Sequence, residues 1–292
     1  MKISEILNKK EPTLSFEVFP PKTSDLFDKV ESATNEIADL KPDFMSVTYG
    51  AGGGTSKYTV DIATNLKNKG VNALAHLTCV NATKESLENQ LDLLKERGIE
   101  NILALRGDLP AGVESTDDWV YKHASDLIPI IKSRGDFCIG GACYPETHPE
   151  AENSWKDIDN IKKKVDAGCE FLTTQMFFDN NLFFNYLYKL RDAGIMVPVV
   201  AGIMPVTNVK QMARIYKLSQ AYLPHRFVAL LDKFSDNPEA MAQAGLAYAT
   251  DQIIDLIASG INAVHIYTMN KPEIARKLQD NLSEIIPSCK RQ

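Results

Sequence analysis

The stretch NILALRGDLP, residues 101–110, decides the fold class of this chain. Its apolar run, Ile102 to Leu105, is long enough for a buried strand and too short for a helix. Arg106, Gly107 and Asp108 follow at once, so the strand end delivers a permanent cation and an ionisable acid into one small space. The glycine between them permits a sharp turn or a close approach to a ligand. Taken alone, the stretch is equally consistent with a surface ion pair at a strand end.

The pattern of a short apolar run followed by polar residues recurs along the chain. Amphipathic helical stretches separate eight such runs. The predicted strands are Leu14–Phe19, Phe44–Tyr49, Ala73–Cys79, Ile102–Leu105, Cys138–Tyr144, Phe171–Phe178, Val197–Met204 and Ala263–Thr268. Many of the helical stretches end on glycine, which is typical of a left-handed C-cap, and several begin with a polar cap such as Thr83 or Asn208.

Eight strand–helix units without a linker predict an α/β fold, a (β/α)₈ TIM barrel that forms one catalytic domain over residues 1–292. Residues 223–237 do not fit the repeat and are predicted as an extra helical insertion before the eighth strand. The alternative, a doubly wound open sheet, usually carries G-x-G-x-x-G after an early strand, and the sequence has none. The glycine-rich residues 50–54 lack the Lys-Ser/Thr of a P-loop, which leaves a flexible loop or a phosphate cradle.

Composition excludes several classes of partner. The chain has 292 residues, a net charge of −6 and a pI near 5.5, without a basic run, so nucleic acid and anionic membrane surfaces are not expected to bind. No apolar stretch approaches the roughly 20 residues of a membrane span. The N-terminus lacks the apolar core of a secretory signal, and the five cysteines are scattered, so a cytoplasmic location is predicted. Apolar positions on the outer helices favour a homo-oligomer.

The C-terminal ends of barrel strands form the active face, and most of the predicted strands place a polar group there. Glu17, His76 and His265 are candidates, although each could instead be a buried structural residue. No predicted strand core contains lysine, which disfavours Schiff-base chemistry. No tight His/Asp/Glu cluster predicts a metal site, so metal ligands are predicted to be none. An isolated acid, an Arg/Asp pair, tyrosines and an amide suit an organic cofactor and a polar heterocyclic substrate.

Nine motifs in order resemble the methylenetetrahydrofolate reductase family across nearly the whole chain. They are SFEVFPP, SVTYGA, HLTC, LRGDLP, YPETHPE, KKKVDAG, TQMFFD, GIMP and HIYTMN. The resemblance implies a flavoprotein of the short form, without the C-terminal regulatory domain of eukaryotic relatives. It would bind FAD and pass a hydride from NADH or NADPH, through the flavin, to methylenetetrahydrofolate. The product, methyltetrahydrofolate, feeds methionine synthesis.

The resemblance also implies residue roles. Glu17 would be the general acid that protonates a bridge nitrogen of the folate, and we expect its apolar sequence neighbours Phe16, Val18 and Phe19 to favour the protonated form. Asp108 would be catalytic and would orient both flavin and folate. Substrate-binding residues would be Asp108, Gln175, Gln211 and Lys271. Cofactor-binding residues would be Thr48, Tyr49, Ala51, His76, Arg106, Gly107, Asp108, Tyr144, His148, Ala151, Asp157, Asn160, Lys163 and Lys164.

Two lysines depart from the family pattern. Lys271 and Lys163 stand where arginine is expected, and each replaces a forked donor with a point charge. Two other functions compete with the reductase. One is another flavin-dependent (β/α)₈ oxidoreductase, similar to proline dehydrogenase, and the other is a non-catalytic folate- or flavin-binding module.

Overall fold

The computed structural model describes residues 1–21, 23–49, 56–80, 82–108 and 119–289. Within these ranges eight parallel strands close into a barrel in sequence order, each strand pairing with the next and the eighth with the first. The strands are β1 (Thr13–Val18), β2 (Phe44–Val47), β3 (Asn72–Thr78), β4 (Asn101–Leu105), β5 (Cys138–Cys143), β6 (Phe171–Thr174), β7 (Val199–Ile203) and β8 (Ala263–Tyr267). All eight predicted strands are confirmed, with ends that agree or differ by at most four residues.

The described helices cover the outside of the barrel and its lower end. They are α1 (Ile3–Leu7), α2 (Phe27–Ala38), α3 (Ser56–Asn68), α4 (Lys84–Glu96), α5 (Ala124–Arg134), α6 (Ser154–Ala167), α7 (Asn180–Asp192), α8 (Val209–Ser219), α9 (His225–Phe234), α10 (Pro238–Ala258), α11 (Pro272–Asn281) and α12 (Ile285–Cys289). The predicted insertion before the eighth strand is confirmed as α9. None of these helices combines the length and the apolar composition that crossing a membrane requires.

Local signals in the sequence explain where several helices begin and end. Thr83 Oγ1 accepts a hydrogen bond from Ser86 N, and Asn208 Oδ1 accepts from two amides at the start of α8. The glycines predicted to end helices all have positive φ in the structure, from 65° at Gly98 to 117° at Gly168. These conformations favour glycine because a Cβ atom would be strained there.

Alternation along the strands divides the core in two. One set of side chains, which includes Phe16 and Val18, faces the helices and forms the larger hydrophobic cluster. The other set faces the barrel axis, where Phe44, Leu74 and Phe171 build an apolar lower layer. Helix α1, which the sequence analysis did not predict, closes the lower end because Ile3 and Leu7 join this layer.

The upper half of the barrel interior is polar. Two interior positions are glycines because neighbouring side chains fill the space: a Cβ on Gly140 would lie 2.4 Å from the ring of Phe171, and one on Gly202 would lie 2.6 Å from the hydroxyl of Tyr267. Above the apolar layer the inward residues are Ser15, Glu17, Ser46, His76, Thr78, Thr173, His265 and Tyr267. A buried polar layer at the C-terminal strand ends is where a barrel of this type places its active site.

Candidate active site

Glu17 occupies the centre of the polar layer. It lies on β1, opposite Ser46 of β2 and Tyr267 of β8 in the strand register, and only 7% of its surface is exposed. Its Oε2 lies 3.6 Å from His76 Nε2 and 3.9 Å from His265 Nε2. The expected burial of this acid is confirmed, but the expected cause was wrong. Phe16 and Val18 point outward to the helices, so histidines and a serine inside the barrel surround the carboxyl group.

A chain of hydrogen bonds fixes His265 beneath Glu17. Ser15 Oγ lies 3.0 Å from Val264 O and 2.7 Å from His265 Nδ1, and Ser46 Oγ lies 3.0 Å from His265 Nε2. The Ser15 hydroxyl has one hydrogen and must donate it to the carbonyl, so it accepts from Nδ1–H. In the neutral form of the imidazole, Nε2 is then an acceptor to which the Ser46 hydroxyl can donate.

The hydrogen bonds of Ser46 also depend on whether Glu17 is protonated. Ser46 Oγ is also 3.3 Å from Glu17 Oε2. When Ser46 gives its hydrogen to His265, it can only accept from Glu17, which requires the protonated acid. When Glu17 is ionised, the Ser46 hydroxyl can turn and donate to the carboxylate instead. The Ser46 hydroxyl can therefore form a hydrogen bond with Glu17 both before and after the acid gives up its proton.

His76 is the second histidine beside Glu17. Burial lowers its pKa from 6.5 to about 4, although the nearby Glu17 carboxylate acts in the opposite direction. The imidazole is therefore neutral near pH 7. Its Nε2 and the hydroxyl of Thr78, two residues further along β3, are buried without a hydrogen-bond partner among the described residues. Two unpaired polar atoms on one inward face are the kind of groups that a polar ligand satisfies.

The predicted strand end at residues 106–108 lies at the mouth of the barrel. Arg106 donates to both carboxylate oxygens of Glu150, a residue that the sequence analysis did not select. Gly107 has a φ of 87°, and a Cβ there would lie 2.3 Å from Val80 Cγ2, so a side chain is excluded both by conformation and by space. Asp108 is exposed and raises the pKa of Tyr144, a shift caused mainly by burial of the phenol.

The loop after β5 gathers the predicted cofactor residues around Arg106. Asp157, buried on α6, accepts a hydrogen bond from His148 N at 3.0 Å, which ties the loop to the helix. Burial lowers the pKa of His148, and the nearby positive charges of Arg106 and Lys164 act in the same direction. The Lys164 ammonium donates to Ala142 O at 2.8 Å. Lys164 therefore faces the barrel wall and is not on the solvated helix face.

Some predicted cofactor residues lie elsewhere. Lys163 donates to Asn160 at 3.1 Å on the exposed flank of α6, away from the contacts that link Lys164 to the barrel. The Tyr49 hydroxyl donates to Gln90 of α4 at 3.0 Å, on the helix side of the barrel wall. Thr48 continues β2, with its N–H donating to Val18 O, and Ala151 lies half-buried in the loop before α6. Ala51 and residues 50–54 lie outside the described residues.

Of the four predicted substrate residues, Asp108 follows β4, and the other three follow β6, β7 and β8. Gln175 follows β6, and although burial raises the pKa of Tyr144, the Gln175 side chain lies close enough to that phenol to act in the opposite direction. Gln211 on α8 contacts Met204 Sδ at 3.9 Å, and Lys271 Nζ lies 3.4 Å from Thr207 Oγ1. Gln211 and Lys271 thus both lie beside the segment after β7. Within the described part of the chain, no group of three or more His, Cys, Asp or Glu could hold a metal ion.

A closed barrel with a buried acid and a polar mouth at its C-terminal face is an enzyme of the (β/α)₈ class. A sequence profile of the methylenetetrahydrofolate reductase family matches residues 2–283, and the chain belongs to this family. It reduces 5,10-methylenetetrahydrofolate to 5-methyltetrahydrofolate with NAD(P)H as donor. The match confirms the resemblance and sets aside both the proline dehydrogenase-like enzyme and the non-catalytic module.

The similarity to relatives spans most of the barrel. The chain is 37% identical to the 5,10-methylenetetrahydrofolate reductase of Pectobacterium carotovorum, over 90% of this chain and 87% of the relative, and 36% identical to that of Escherichia coli, over 90% and 88%. It is 35% identical to methylenetetrahydrofolate reductase (NADH) 1 of Arabidopsis thaliana, over 97% of this chain but 50% of that protein. A Clostridium thermocellum structure shares the fold, with a TM-score of 0.66, 15% identity and 98% of this chain covered.

Proposed function

We propose that Glu17 is the general acid of this reductase and that the barrel mouth holds FAD, with NADH or NADPH as the hydride donor. The observation that carries the proposal is the position of Glu17, buried inside the barrel with the Nε2 atoms of two histidines 3.6 and 3.9 Å from its carboxyl group. A carboxyl group without a permanent cation beside it can hold a proton and deliver it to a substrate.

The residues at the mouth fit FAD. The unpaired His76 Nε2 and Thr78 Oγ1 can bond to a polar ring edge, and Gly107 lets a planar ring approach the backbone. Arg106 and Lys164 supply positive charge for a diphosphate without a glycine-rich fingerprint. Two further residues proposed to contact FAD are Tyr144 and Asp157. The other cofactor residues remain predictions from the family resemblance: Thr48, Tyr49, Ala51, Ala151, Asn160 and Lys163. Bound FAD would supply a carrier that receives a hydride from the nicotinamide and gives it to the folate.

Glu17 supplies the proton that the folate needs. Its proton would pass to a bridge nitrogen of methylenetetrahydrofolate, which opens the five-membered ring to an iminium that can accept hydride. The Ser46 hydroxyl would then turn toward the carboxylate, and His265 would hold Ser46 in place. His76 stays neutral, so it neither competes for the proton nor fixes Glu17 as an anion.

The folate would lie between β6 and β8. Gln175 and Asp108 would bond to the pterin, and Gln211 and Lys271 would meet the remainder of the substrate. The solved Clostridium thermocellum protein of the same fold is described as binding two copies of 5-methyl-5,6,7,8-tetrahydrofolic acid, which supports this barrel type as a folate-binding scaffold.

The test separates the two halves of the reaction. Purified protein should be yellow, and Glu17→Gln should still bind FAD and become bleached by NADH under anaerobic conditions. It should then fail to transfer hydride to methylenetetrahydrofolate. Glu170→Gln is the matched control, because Glu170 bonds to Ser4 at the closed end of the barrel and should not affect either step. Full turnover by Glu17→Gln would remove the proposed acid, and a colourless protein without flavin affinity would remove the proposed cofactor.

Self-association and a cytoplasmic location are further parts of the proposal. Apolar side chains exposed on the outer surface, including Tyr188 and Met196, support a homo-oligomer. Light scattering of the purified protein measures this directly, and a monomer at micromolar concentration would contradict it.

A further inference from the structure

Beyond the last backbone pair between β1 and β8, two side chains from the segment after β8 form hydrogen bonds with the main chain at the end of β1. The register between these strands ends at Glu17 and Tyr267. Thr268 Oγ1 then donates to Glu17 O at 2.7 Å. Asn270 Oδ1 accepts from Phe19 N at 2.7 Å, and Asn270 Nδ2 donates to Phe19 O at 2.9 Å. The carboxamide therefore bonds to both main-chain groups of Phe19, which a longer β8 would otherwise have paired.

These bonds complete the hydrogen bonding of β1 around Glu17. On the other side of the strand, Thr48 N donates to Val18 O at 3.0 Å, so β2 holds the peptide between Glu17 and Phe19. Pro20 and Pro21 follow and have no N–H, so Phe19 carries the last amide donor of this segment. Without Thr268 and Asn270, the main chain after Glu17 would be held from the β2 side alone.

The backbone that presents Asn270 is strained. Met269 and Asn270 have φ values of 54° and 55°, in the left-handed region that non-glycine residues avoid. Asparagine tolerates this conformation better than methionine does. The two residues turn the chain from β8 toward α11, and the turn directs the Asn270 side chain back to β1. Strain of this kind persists only where surrounding contacts hold it, and it is concentrated at functional sites.

We propose that Asn270, together with Thr268, is a positioning residue for Glu17. The inference rests on the proposed function of Glu17 as the general acid. Glu17 is held by its own strand, and the two side chains fix that strand at the Glu17 carbonyl and two residues later, at Phe19. Because proton transfer depends on the position of the donor to within a fraction of an ångström, a looser main chain should slow protonation of the folate.

Asn270→Ala and Thr268→Val test this role. We expect each to slow hydride transfer to methylenetetrahydrofolate by about 10- to 100-fold while flavin reduction by NADH stays within about twofold of wild type. Thr268→Ser keeps the hydroxyl and should restore the wild-type rate. Asn262→Ala is the matched control: Asn262 precedes β8 at the opposite end of the same strand pair and donates to Lys10 O at 2.7 Å.

Amide hydrogen exchange gives a readout that does not depend on turnover. The Phe19 amide should exchange faster in Asn270→Ala than in wild type or Asn262→Ala, because its acceptor is lost. The proposal is overturned if Asn270→Ala and Thr268→Val transfer hydride to folate as fast as Asn262→Ala. It is also overturned if both half-reactions fall together with the melting temperature, since that pattern indicates a stability role. If Asn270→Ala does not fold, the comparison of Thr268→Val with Thr268→Ser decides the question. Retention of folate reduction by Glu17→Gln would instead reject the proposed acid.

Discussion

Replacement of His76 by glutamine should remove a pH dependence of stability that the native barrel carries. In the folded protein, burial holds the pKa of His76 at about 4, against 6.5 in an unfolded chain. Between these values the unfolded state binds a proton that the folded state excludes. The free energy of unfolding therefore decreases as the pH falls from 6.5 toward 4.

The magnitude follows from the two pKa values. Each unit of pKa difference corresponds to 1.36 kcal/mol, so a difference of about 2.5 units lowers the free energy of unfolding by about 3 kcal/mol in total. Most of this loss should occur below pH 6.5, with a slope of about 1 kcal/mol per pH unit in the middle of the range. Glutamine has no proton to gain, so H76Q should lack this part of the slope.

Urea unfolding of wild type and H76Q between pH 4.5 and 7.5, at one FAD concentration, measures the difference. The free energy of unfolding of H76Q minus that of wild type should increase by at least about 2 kcal/mol from pH 7.5 to pH 4.5. H225Q carries the same substitution at an exposed histidine on α9 and serves as the matched control. Parallel curves for wild type and H76Q, or an NMR titration of His76 with a midpoint near 6.5, would refute the reasoning.

Three other outcomes follow from single contacts. Gly107→Ala should lower the free energy of unfolding by at least about 1 kcal/mol, because a φ of 87° is unfavourable for alanine and the new Cβ would lie 2.3 Å from Val80. Urea unfolding measures this, and a value equal to wild type would contradict it. Asp157→Ala removes the acceptor for His148 N, and flavin fluorescence titration should show about 10-fold weaker FAD binding; unchanged affinity would show that the loop does not need this bond. A thiol reagent at pH 8 should modify Cys289 rapidly and the other four cysteines slowly, because those four are buried; C289S should abolish the fast phase, and a second fast thiol would contradict the buried positions.

The sequence determined the architecture because the signals for a barrel are local. Each strand is four to seven residues long and rich in apolar residues, and the helix ends carry their own caps, such as Thr83 and Gly168. Eight repeats of this pattern leave few folds to choose from. Helix α1 was missed because it is only five residues long and is stabilised by contacts with residues such as Phe44 and Phe171, which are distant in sequence.

The sequence also determined which side chains gather at the C-terminal strand ends, since alternation and the direction of parallel strands place Glu17, His76 and Arg106 at one face. Only the tertiary structure decided the partners of these groups. Ser46 and His265 lie 29 and more than 200 residues from Glu17 in the sequence, and they approach it from neighbouring strands. Glu150 reaches Arg106 from the loop after β5. Apolar sequence neighbours suggested an acid in apolar surroundings, and strand geometry turned them away from it. Sequence patterns report periodicity along one segment, whereas the environment of a buried group depends on segments that meet only when the barrel closes.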